Sequence, residues 1–361
     1  MGAKLYVNKQ NVISNLNSIK EKIGENTKII AMVKANAYGT NAIQMVQLLK
    51  ENGITDFGVA KISEGVSLRE KYKEIKIIVT SSVVSEDDIQ KAIENDLSIS
   101  VSCIDIAKKI NEIAIKNDKN INVHIAVNTG MTRLGINEEE VKKDVLYIHN
   151  KLKNINIEGI YTHLSCADTN EKFTKNQLNV FSNVVKELQN SGIKFEYIHS
   201  LNSDGVVRYD TLKYTHIRVG MIMYGYTNTK NVVQKKALKL VTNIIHINKI
   251  PKESKVSYGA SYTANAGDKI AVIGIGYADG LFRCLSNNYY VKINGKKCKI
   301  VGNICMDMCM VDVSDIDDIK IGDEVIIFDF DDDLSEISRK CNTISYEIIS
   351  RIGNRVEREF I

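Results

Sequence analysis

The chain from residue 28 to about residue 225 alternates short apolar runs with longer segments of helical period. The runs are rich in β-branched residues, which is typical of strands buried in a parallel sheet. Eight runs fit this description: Ile29–Val33, Phe57–Ala60, Ile77–Thr80, Ser98–Val101, Val123–Val127, Ile157–Thr162, Tyr197–Ser200 and His216–Met223. Alternation of this kind predicts βαβ crossovers, and eight units predict a closed (β/α)8 barrel of the TIM type.

The pattern changes after about residue 238. Short apolar runs now follow one another across turn-forming sequences such as "NAGD" and "INGKK", and a segment of helical period returns only at Ile344–Ile352. We therefore predict an α/β protein with two domains. Residues 1–238 would form the barrel, and residues 239–361 would form a mainly β domain.

The composition narrows the functional class. Of the 361 residues, 44% are hydrophobic, which is ample for large folded domains. The formal net charge is +4 without a dense basic block, which argues against nucleic-acid binding. The sequence has no apolar stretch of bilayer length, and its seven cysteines form no C-x-x-C pair. We expect a cytoplasmic chain with reduced thiols and no metal site.

Residues able to do chemistry cluster where the predicted strands end, and these ends meet at the mouth of a barrel. Lys34 closes the first run in "AMVKANAYGT". An apolar setting lowers the pKa of a lysine amine and makes it a nucleophile. "NSDG" and "VG", at strands seven and eight, offer a hydroxyl and backbone N–H groups for a phosphate. A lysine and a phosphate site in one barrel mouth indicate pyridoxal phosphate.

Each of these signals also has a purely structural interpretation. A lone lysine at a strand end more often pairs with a carboxylate, a lone histidine such as His163 is more often a hydrogen-bonded core residue, and "NSDG" is most often a turn. Their arrival on successive strand ends favours the functional interpretation. The remaining candidates at strand ends are Arg133, Asn202, Ser203, Arg218 and Gly220.

"AMVKANAYGT" resembles the pyridoxal-phosphate motif of the alanine racemases. Further motifs of that family recur in order over nearly the whole chain: "NTGMTRLG", "THLSCAD", "NSDG", "RVGMIMYG", "VSYGASY", "GIGYADG" and "NICMDMCMVDV". The resemblance implies a (β/α)8 barrel followed by a β domain. It also implies a pyridoxal 5'-phosphate cofactor and racemisation of a small amino acid.

The resemblance also implies roles for individual residues. Lys34 would carry the cofactor covalently and serve as one base, and Tyr258 would serve as the base on the opposite face. The implied cofactor contacts are Tyr38, Arg133, His163, Asn202, Ser203, Arg218, Gly220 and Met221. The implied substrate contacts are Arg133, Tyr277, Met306 and Asp307. Tyr258 of one subunit would reach Lys34 of the other, which implies a head-to-tail homodimer.

Three positions depart from the family pattern. In the stretch "TISYEIISRIGNRVERE", we align Asn354 with a family tyrosine that binds the phosphate and confines the substrate. An asparagine there resembles membrane-bound serine racemases of the VanT type, from vancomycin-resistant bacteria, and it implies a serine/alanine racemase whose membrane domain lies outside this chain. Ala126 replaces a lysine that is carbamylated in many relatives, and Asn303 replaces an arginine at the entrance.

Three alternatives stay open at this point. A biosynthetic alanine racemase would differ only in its substrate. A non-catalytic carrier of pyridoxal phosphate would need neither a β domain nor Tyr258. A decarboxylase of the same fold type would place an acidic residue at the ring nitrogen, where the resemblance places Arg218.

Overall fold

The computed structural model of the protein describes residues 2–227, 234–331 and 334–361. The strands are, in chain order, β1 (Lys4–Val7), β2 (Lys28–Met32), β3 (Asp56–Val59), β4 (Lys76–Ser82), β5 (Ser98–Val101), β6 (Ile121–Asn128), β7 (Ile136–Asn137), β8 (Ile155–Tyr161), β9 (Tyr197–His199), β10 (His216–Val219), β11 (Leu238–Lys249), β12 (Ser254–Val256), β13 (Tyr262–Ala264), β14 (Lys269–Ile273), β15 (Tyr290–Ile293), β16 (Lys296–Val301), β17 (Cys309–Asp312), β18 (Glu324–Phe328) and β19 (Glu357–Phe360). The helices are α1 (Lys9–Ile23), α2 (Lys34–Gly39), α3 (Ala42–Glu51), α4 (Ile62–Lys71), α5 (Glu86–Glu94), α6 (Ile104–Lys116), α7 (Glu138–Lys151), α8 (Glu171–Asn190), α9 (Ser203–Arg208), α10 (Ser335–Cys341) and α11 (Ser345–Ser350).

The first sheet is a parallel barrel with strand order β10-β2-β3-β4-β5-β6-β8-β9. β3 and β5 are buried at every position, as expected where helices cover one face and barrel side chains fill the other. The ring closes between β9 and β10, where Thr215 N donates to Ile198 O at 3.1 Å and Arg218 N donates to Leu201 O at 2.9 Å. The predicted (β/α)8 barrel is confirmed.

The second sheet has the order β14-β17-β16-β15-β18-β11-β1-β19, and β11 also pairs with β14. A closed antiparallel ring is therefore formed by β11, β14, β17, β16, β15 and β18, while β12 and β13 pair in a separate two-stranded sheet. The predicted β architecture of the carboxyl-terminal part is confirmed.

Two segments differ from the sequence prediction. β1 pairs with β11 and β19, so residues 4–7 lie in the second sheet although the sequence analysis placed them with the barrel. The strands that pair with β1 lie more than two hundred residues away in the sequence, and the four residues of β1 contain no pattern that predicts this pairing. The eighth barrel strand ends at Val219, and Met221–Tyr224 form a 3-10 turn. The boundary at residue 238 stays a prediction.

Among residues 2–227, 234–331 and 334–361, no helix combines the length and the apolar character needed to cross a membrane.

Candidate active site

A pocket opens at the carboxyl ends of the barrel strands, where the sequence analysis placed the site. It brings together most of the predicted cofactor residues: Lys34, Tyr38, Arg133, His163, Asn202, Ser203, Arg218 and Gly220. Met221 is not among its lining residues; it follows Gly220 and is fully buried in the core. These strand ends converge because all eight strands of the barrel run in the same direction.

Lys34 stands at the start of a left-handed turn. The four residues that follow it, Ala35 to Tyr38, have φ between 51° and 59°. Left-handed backbone costs about 1–2 kcal/mol per residue with a side chain, so the surrounding contacts must hold it. The carboxylate of Glu64 accepts from Ala35 N at 2.6 Å, and Tyr224 Oη donates to Ala37 O at 2.8 Å. These contacts fix the backbone from which the Lys34 amine enters the pocket.

Burial lowers the pKa of the Lys34 amine, and the positive charges of Arg133 and Arg218 lower it further. The carboxylate of Glu64 opposes this shift only in part. The structural alternative of an ion-paired lysine does not apply, because no carboxylate among the described residues lies within ion-pair distance of the Lys34 amine. A lysine in this setting is more easily deprotonated and more nucleophilic than one in water.

Arg218 occupies the barrel side of the pocket and is buried. Its Nη2 donates to Thr162 O at 2.8 Å and lies 3.3 Å from His163 Nδ1. Burial lowers the pKa of Arg218 to about 10, so the group remains charged at neutral pH. Burial also holds the pKa of His163 well below its usual value, and Arg218 and Arg133 reinforce the effect. The pocket therefore offers a fixed cation beside a neutral imidazole.

The opposite end of the pocket carries hydroxyl groups from Tyr38, Ser203 and Tyr346. The rings of Tyr38 and Tyr346 meet edge to face, with centroids 6.1 Å apart. Gly220 N donates to Ser203 Oγ at 3.2 Å, and a Cβ on Gly220 would lie 2.2 Å from Tyr38 Oη. Only glycine at position 220 lets the Tyr38 hydroxyl approach this backbone.

The donors of the pocket fit a phosphorylated aldehyde. Three cationic side chains line it, from Lys34, Arg133 and Arg218, and no acidic residue does so within the described ranges. Three hydroxyl donors at one end suit a phosphate, and an amine with a lowered pKa suits an aldehyde carbon. Pyridoxal 5'-phosphate has both groups and a ring nitrogen between them, so the residues present fit this cofactor.

The assignment of Asn354 to the phosphate site is wrong. Asn354 is exposed in the turn before β19 and does not line the pocket, whereas Tyr346 on α11 does. Tyr346 stands inside the same quoted stretch, eight positions earlier, and its ring is directed to the site by its contact with Tyr38. The tyrosine of "TISY" was the signal that the sequence analysis missed.

Arg133 lies on a turn that follows β6. The side-chain oxygen of Asn128 accepts from Gly130 N at 3.1 Å and from Thr132 N at 3.0 Å. This turn holds the arginine loop at the pocket. Ala126 lines the same wall, so the small side chain that replaces the family lysine faces the site.

Four predicted residues lie outside the pocket of their own chain. Tyr258, Tyr277, Met306 and Asp307 sit on neighbouring loops of the β domain, which we call the entrance surface. Tyr258 is 74% exposed and Met306 is 53% exposed. The loops are bonded together, since Tyr277 N donates to Cys305 O at 3.0 Å and Asn303 Nδ2 donates to Tyr258 O at 2.7 Å. The structure thus gathers these residues into one exposed patch.

Fold and site together define a barrel protein, with an added β architecture, whose pocket fits a phosphorylated aldehyde cofactor. The chain belongs to the alanine racemase family. Residues 7–228 match "Alanine racemase, N-terminal domain", and residues 237–360 match "Alanine racemase, C-terminal domain". The family depends on pyridoxal 5'-phosphate, and the chain is accordingly an amino-acid racemase, an isomerase.

Similar proteins agree with this membership. The chain is 35% identical to an alanine racemase of Desulforamulus reducens over 98% of both chains. It is 38% identical to one of Clostridium novyi, over 98% of this chain and 94% of the other. Among solved structures, an alanine racemase of Clostridium difficile 630 superposes with a TM-score of 0.93 at 33% identity, covering 99% and 94% of the two chains. One from Bartonella henselae, with covalently bound pyridoxal phosphate, has a TM-score of 0.88 at 25% identity over 100% of both chains.

Proposed function

We propose that this chain interconverts L- and D-alanine as a biosynthetic alanine racemase, in a homodimer whose subunits share their active sites. The observation that carries the proposal is the setting of the Lys34 amine. Burial lowers the pKa of this amine, and the amine faces a pocket that has hydroxyl groups suited to a phosphate at its far end.

Racemisation requires a base on each face of the substrate α-carbon, one to remove the proton and one to return a proton. Lys34 serves one face. The partner subunit's Tyr258 serves the other, because Tyr258 is exposed on the entrance surface and lies outside its own pocket. When bound, pyridoxal phosphate supplies the electron sink that makes the α-proton acidic. Arg133 binds the substrate carboxylate.

Arg218 and His163 control the chemistry at the ring. A buried guanidinium that keeps its proton gives the ring nitrogen a hydrogen-bond donor without transferring a proton to it. The nitrogen then stays unprotonated, which limits how much negative charge the ring accepts and disfavours transamination. The neutral His163 imidazole packs beside the ring without adding a second charge.

Serine is the second substrate to consider, and no described residue of the pocket now favours it. The serine hypothesis depended on Asn354, which lies outside the pocket, while Tyr346 stands at the phosphate end. The similar proteins are named alanine racemases and give no support to a membrane-bound serine racemase or to a role in vancomycin resistance. We therefore propose alanine as the preferred substrate.

The test compares kcat/KM for L-alanine and L-serine on the purified protein. We expect alanine to be preferred by at least about tenfold, the scale on which a pocket discriminates one misfitted group. Lys34→Ala should lose both activities and should no longer retain the cofactor after dialysis. Preference for serine would reverse the substrate assignment, and racemisation by Lys34→Ala at the native rate would refute the catalytic assignment.

A further inference from the structure

A chain of hydrogen bonds crosses the barrel interior and ends at the pocket. His124 Nε2 on β6 lies 3.2 Å from Glu158 Oε2 on β8. His124 Nδ1 lies 2.9 Å from His199 Nε2, and His199 Nδ1 lies 2.6 Å from Nη1 of Arg218. All four side chains are buried, and both imidazoles are completely inaccessible. A chain of ionisable groups in a barrel core is costly unless each member is satisfied.

The two ends of this chain have fixed roles. An arginine can only donate hydrogen bonds, and an ionised carboxylate can only accept them. Burial raises the pKa of the Glu158 carboxyl, but donors from His124, Lys76 and Ser98 outweigh it and bring the pKa to about 2. Lys76 holds one oxygen of this carboxylate, and Ser98 Oγ donates to the other at 2.7 Å. Glu158 is therefore ionised at neutral pH.

These roles determine the protonation of both histidines. His199 must accept at Nδ1, because Arg218 donates there, so its proton is on Nε2 and is donated to His124 Nδ1. His124 in turn carries its proton on Nε2 and donates it to Glu158. Adding a proton to either ring would set two donors against each other. Burial, which lowers the pKa of both rings, favours the same neutral state.

Arg218 lacks an acidic partner in direct contact. In the described part of the chain, Arg218 forms no ion pair, and its hydrogen bonds go to carbonyl oxygens and histidine nitrogens. A buried cation without a counter-charge is unfavourable. The hydrogen bonds of Arg218 connect it, through His199 and His124, to the carboxylate of Glu158.

We propose that Glu158 is a positioning residue for Arg218, acting through His124 and His199 to fix the orientation of the guanidinium. Nη1 is committed to His199 and Nη2 to the carbonyl oxygens of Thr162 and Ser200. Nε has no hydrogen-bond partner among the described residues, and Arg218 lines the pocket. The orientation follows from the structure alone; its catalytic consequence rests on the role proposed above for Arg218 at the cofactor ring.

The tautomers can be measured directly. Two-bond 15N–1H spectra of the holoenzyme, labelled at histidine nitrogens, distinguish the Nε2–H, Nδ1–H and doubly protonated rings. We expect His124 and His199 to remain Nε2–H from about pH 6 to about pH 9. A charged or Nδ1–H ring at position 124 or 199 overturns the proposal and leaves the proposed racemase activity untouched.

Glu158→Gln tests the part played by the carboxylate. A glutamine has a single oxygen for the donors that Glu158 satisfies, so at least one contact must fail. We expect mixed tautomers at His199 and a fall in kcat of about 10- to 100-fold, as for other residues that orient a reactive group. Asp56→Asn is the matched control. This substitution also removes one buried interior carboxylate. The Asp56 carboxylate accepts from Tyr197 Oη at 2.7 Å and is not a member of the hydrogen-bonded series from Glu158 to Arg218.

Asp56→Asn should leave the tautomers of His124 and His199 unchanged. Glu158→Gln with native tautomers overturns the proposal, and so do identical effects of the two variants. If Glu158→Gln does not fold, His124→Gln is the alternative variant. It removes the imidazole between Glu158 and His199 while leaving the carboxylate in place, and the tautomer of His199 is measured by the same spectra. A double variant of Glu158→Gln with Arg218→Lys should show strong non-additivity in kcat/KM if Glu158 acts through Arg218.

Discussion

Tyr346 is the residue that most changes the interpretation of this chain. Its ring lies against Tyr38 at the phosphate end of the pocket, whereas Asn354 points to solvent in the turn before β19. In the proposed function, a tyrosine here would narrow the space beside the substrate and would add a hydroxyl donor to the phosphate. The difference in one residue is why we propose alanine, and not serine, as the preferred substrate.

Tyr346→Phe should therefore weaken cofactor binding. The change keeps the ring and removes the hydroxyl, and a hydrogen bond to a charged group contributes about 1.5–3 kcal/mol. We expect the Kd for pyridoxal phosphate to rise by roughly 10- to 100-fold, measured by absorbance titration of the apo protein. Asn354→Ala is the control and should change neither this Kd nor the alanine-to-serine ratio. An equal effect of both substitutions would restore Asn354 to the site.

The sequence was informative about residues whose chemistry and position agree. Lys34 could be recognised because a lysine at the end of an apolar strand is unusual, and the family motif named the same residue. Tyr346 was not placed in this way, because only the folded chain shows that α11 brings Tyr346 to the pocket while the turn before β19 leaves Asn354 exposed. Glu158, His124 and His199 gave no signal either: each stands in a buried strand, and only the closed barrel brings them together.

At the scale of elements, three loops of the β domain act as one unit. Tyr258 lies on a 3-10 turn preceded by Ser257 with φ 67°. Ser257 Oγ donates to Asn303 O at 2.6 Å, and Asn303 Nδ2 donates back to Tyr258 O at 2.7 Å. This reciprocal pair holds a strained backbone, so the asparagine that replaces the family arginine positions the turn that carries Tyr258.

Asn303→Ala should loosen the Tyr258 turn without altering the barrel pocket. Loss of one such hydrogen bond contributes about 0.5–1.5 kcal/mol, so kcat should fall by roughly 2- to 12-fold. The affinity for pyridoxal phosphate should not change, since Asn303 does not line the pocket. Exchange of the α-proton with solvent should become more unequal between the two enantiomers. A variant with native kcat would show that the Tyr258 turn does not depend on the hydrogen bond from Asn303.

Strand boundaries in the barrel were predicted closely because parallel strands are continuous apolar runs. β3 and β5 lie within one residue of their predicted bounds. The sequence could not predict β1 or β19. Both strands are short, and they pair in parallel with each other from opposite ends of the chain. Long-range pairing of this kind leaves no local pattern.

At the scale of the whole molecule, the proposed site residues are divided between the barrel pocket and the entrance surface. The pocket holds Lys34 and the cofactor-binding groups, whereas Tyr258 and Met306 are exposed on the other domain. An exposed aromatic and methionine patch on a bonded, ordered set of loops is typical of a surface that another chain covers. The proposed head-to-tail dimer places this patch over the mouth of the partner's barrel.

Mixing two inactive variants tests this arrangement. Lys34→Ala and Tyr258→Phe each damage every site of their own homodimer, so each protein alone should lose activity, by at least about 100-fold for the tyrosine base. In a mixed dimer with shared sites, one site carries both substitutions and the other is native. Random reassortment makes half of the dimers mixed, so activity should recover to about one quarter of the native value.

The recovery distinguishes the two possible geometries. If Lys34 and Tyr258 acted within one chain, neither chain of a mixed dimer would hold both groups, and mixing would restore nothing. The subunits should be exchanged by dilution below the dimer dissociation constant and reconcentration, with the dimer fraction followed by analytical ultracentrifugation. Mixing Lys34→Ala with Lys34→Ala,Tyr258→Phe is the control, because no pairing of these chains supplies the lysine. Recovery there would mean that a cause other than a shared site restores activity, and absence of recovery in both mixtures would refute the shared-site dimer.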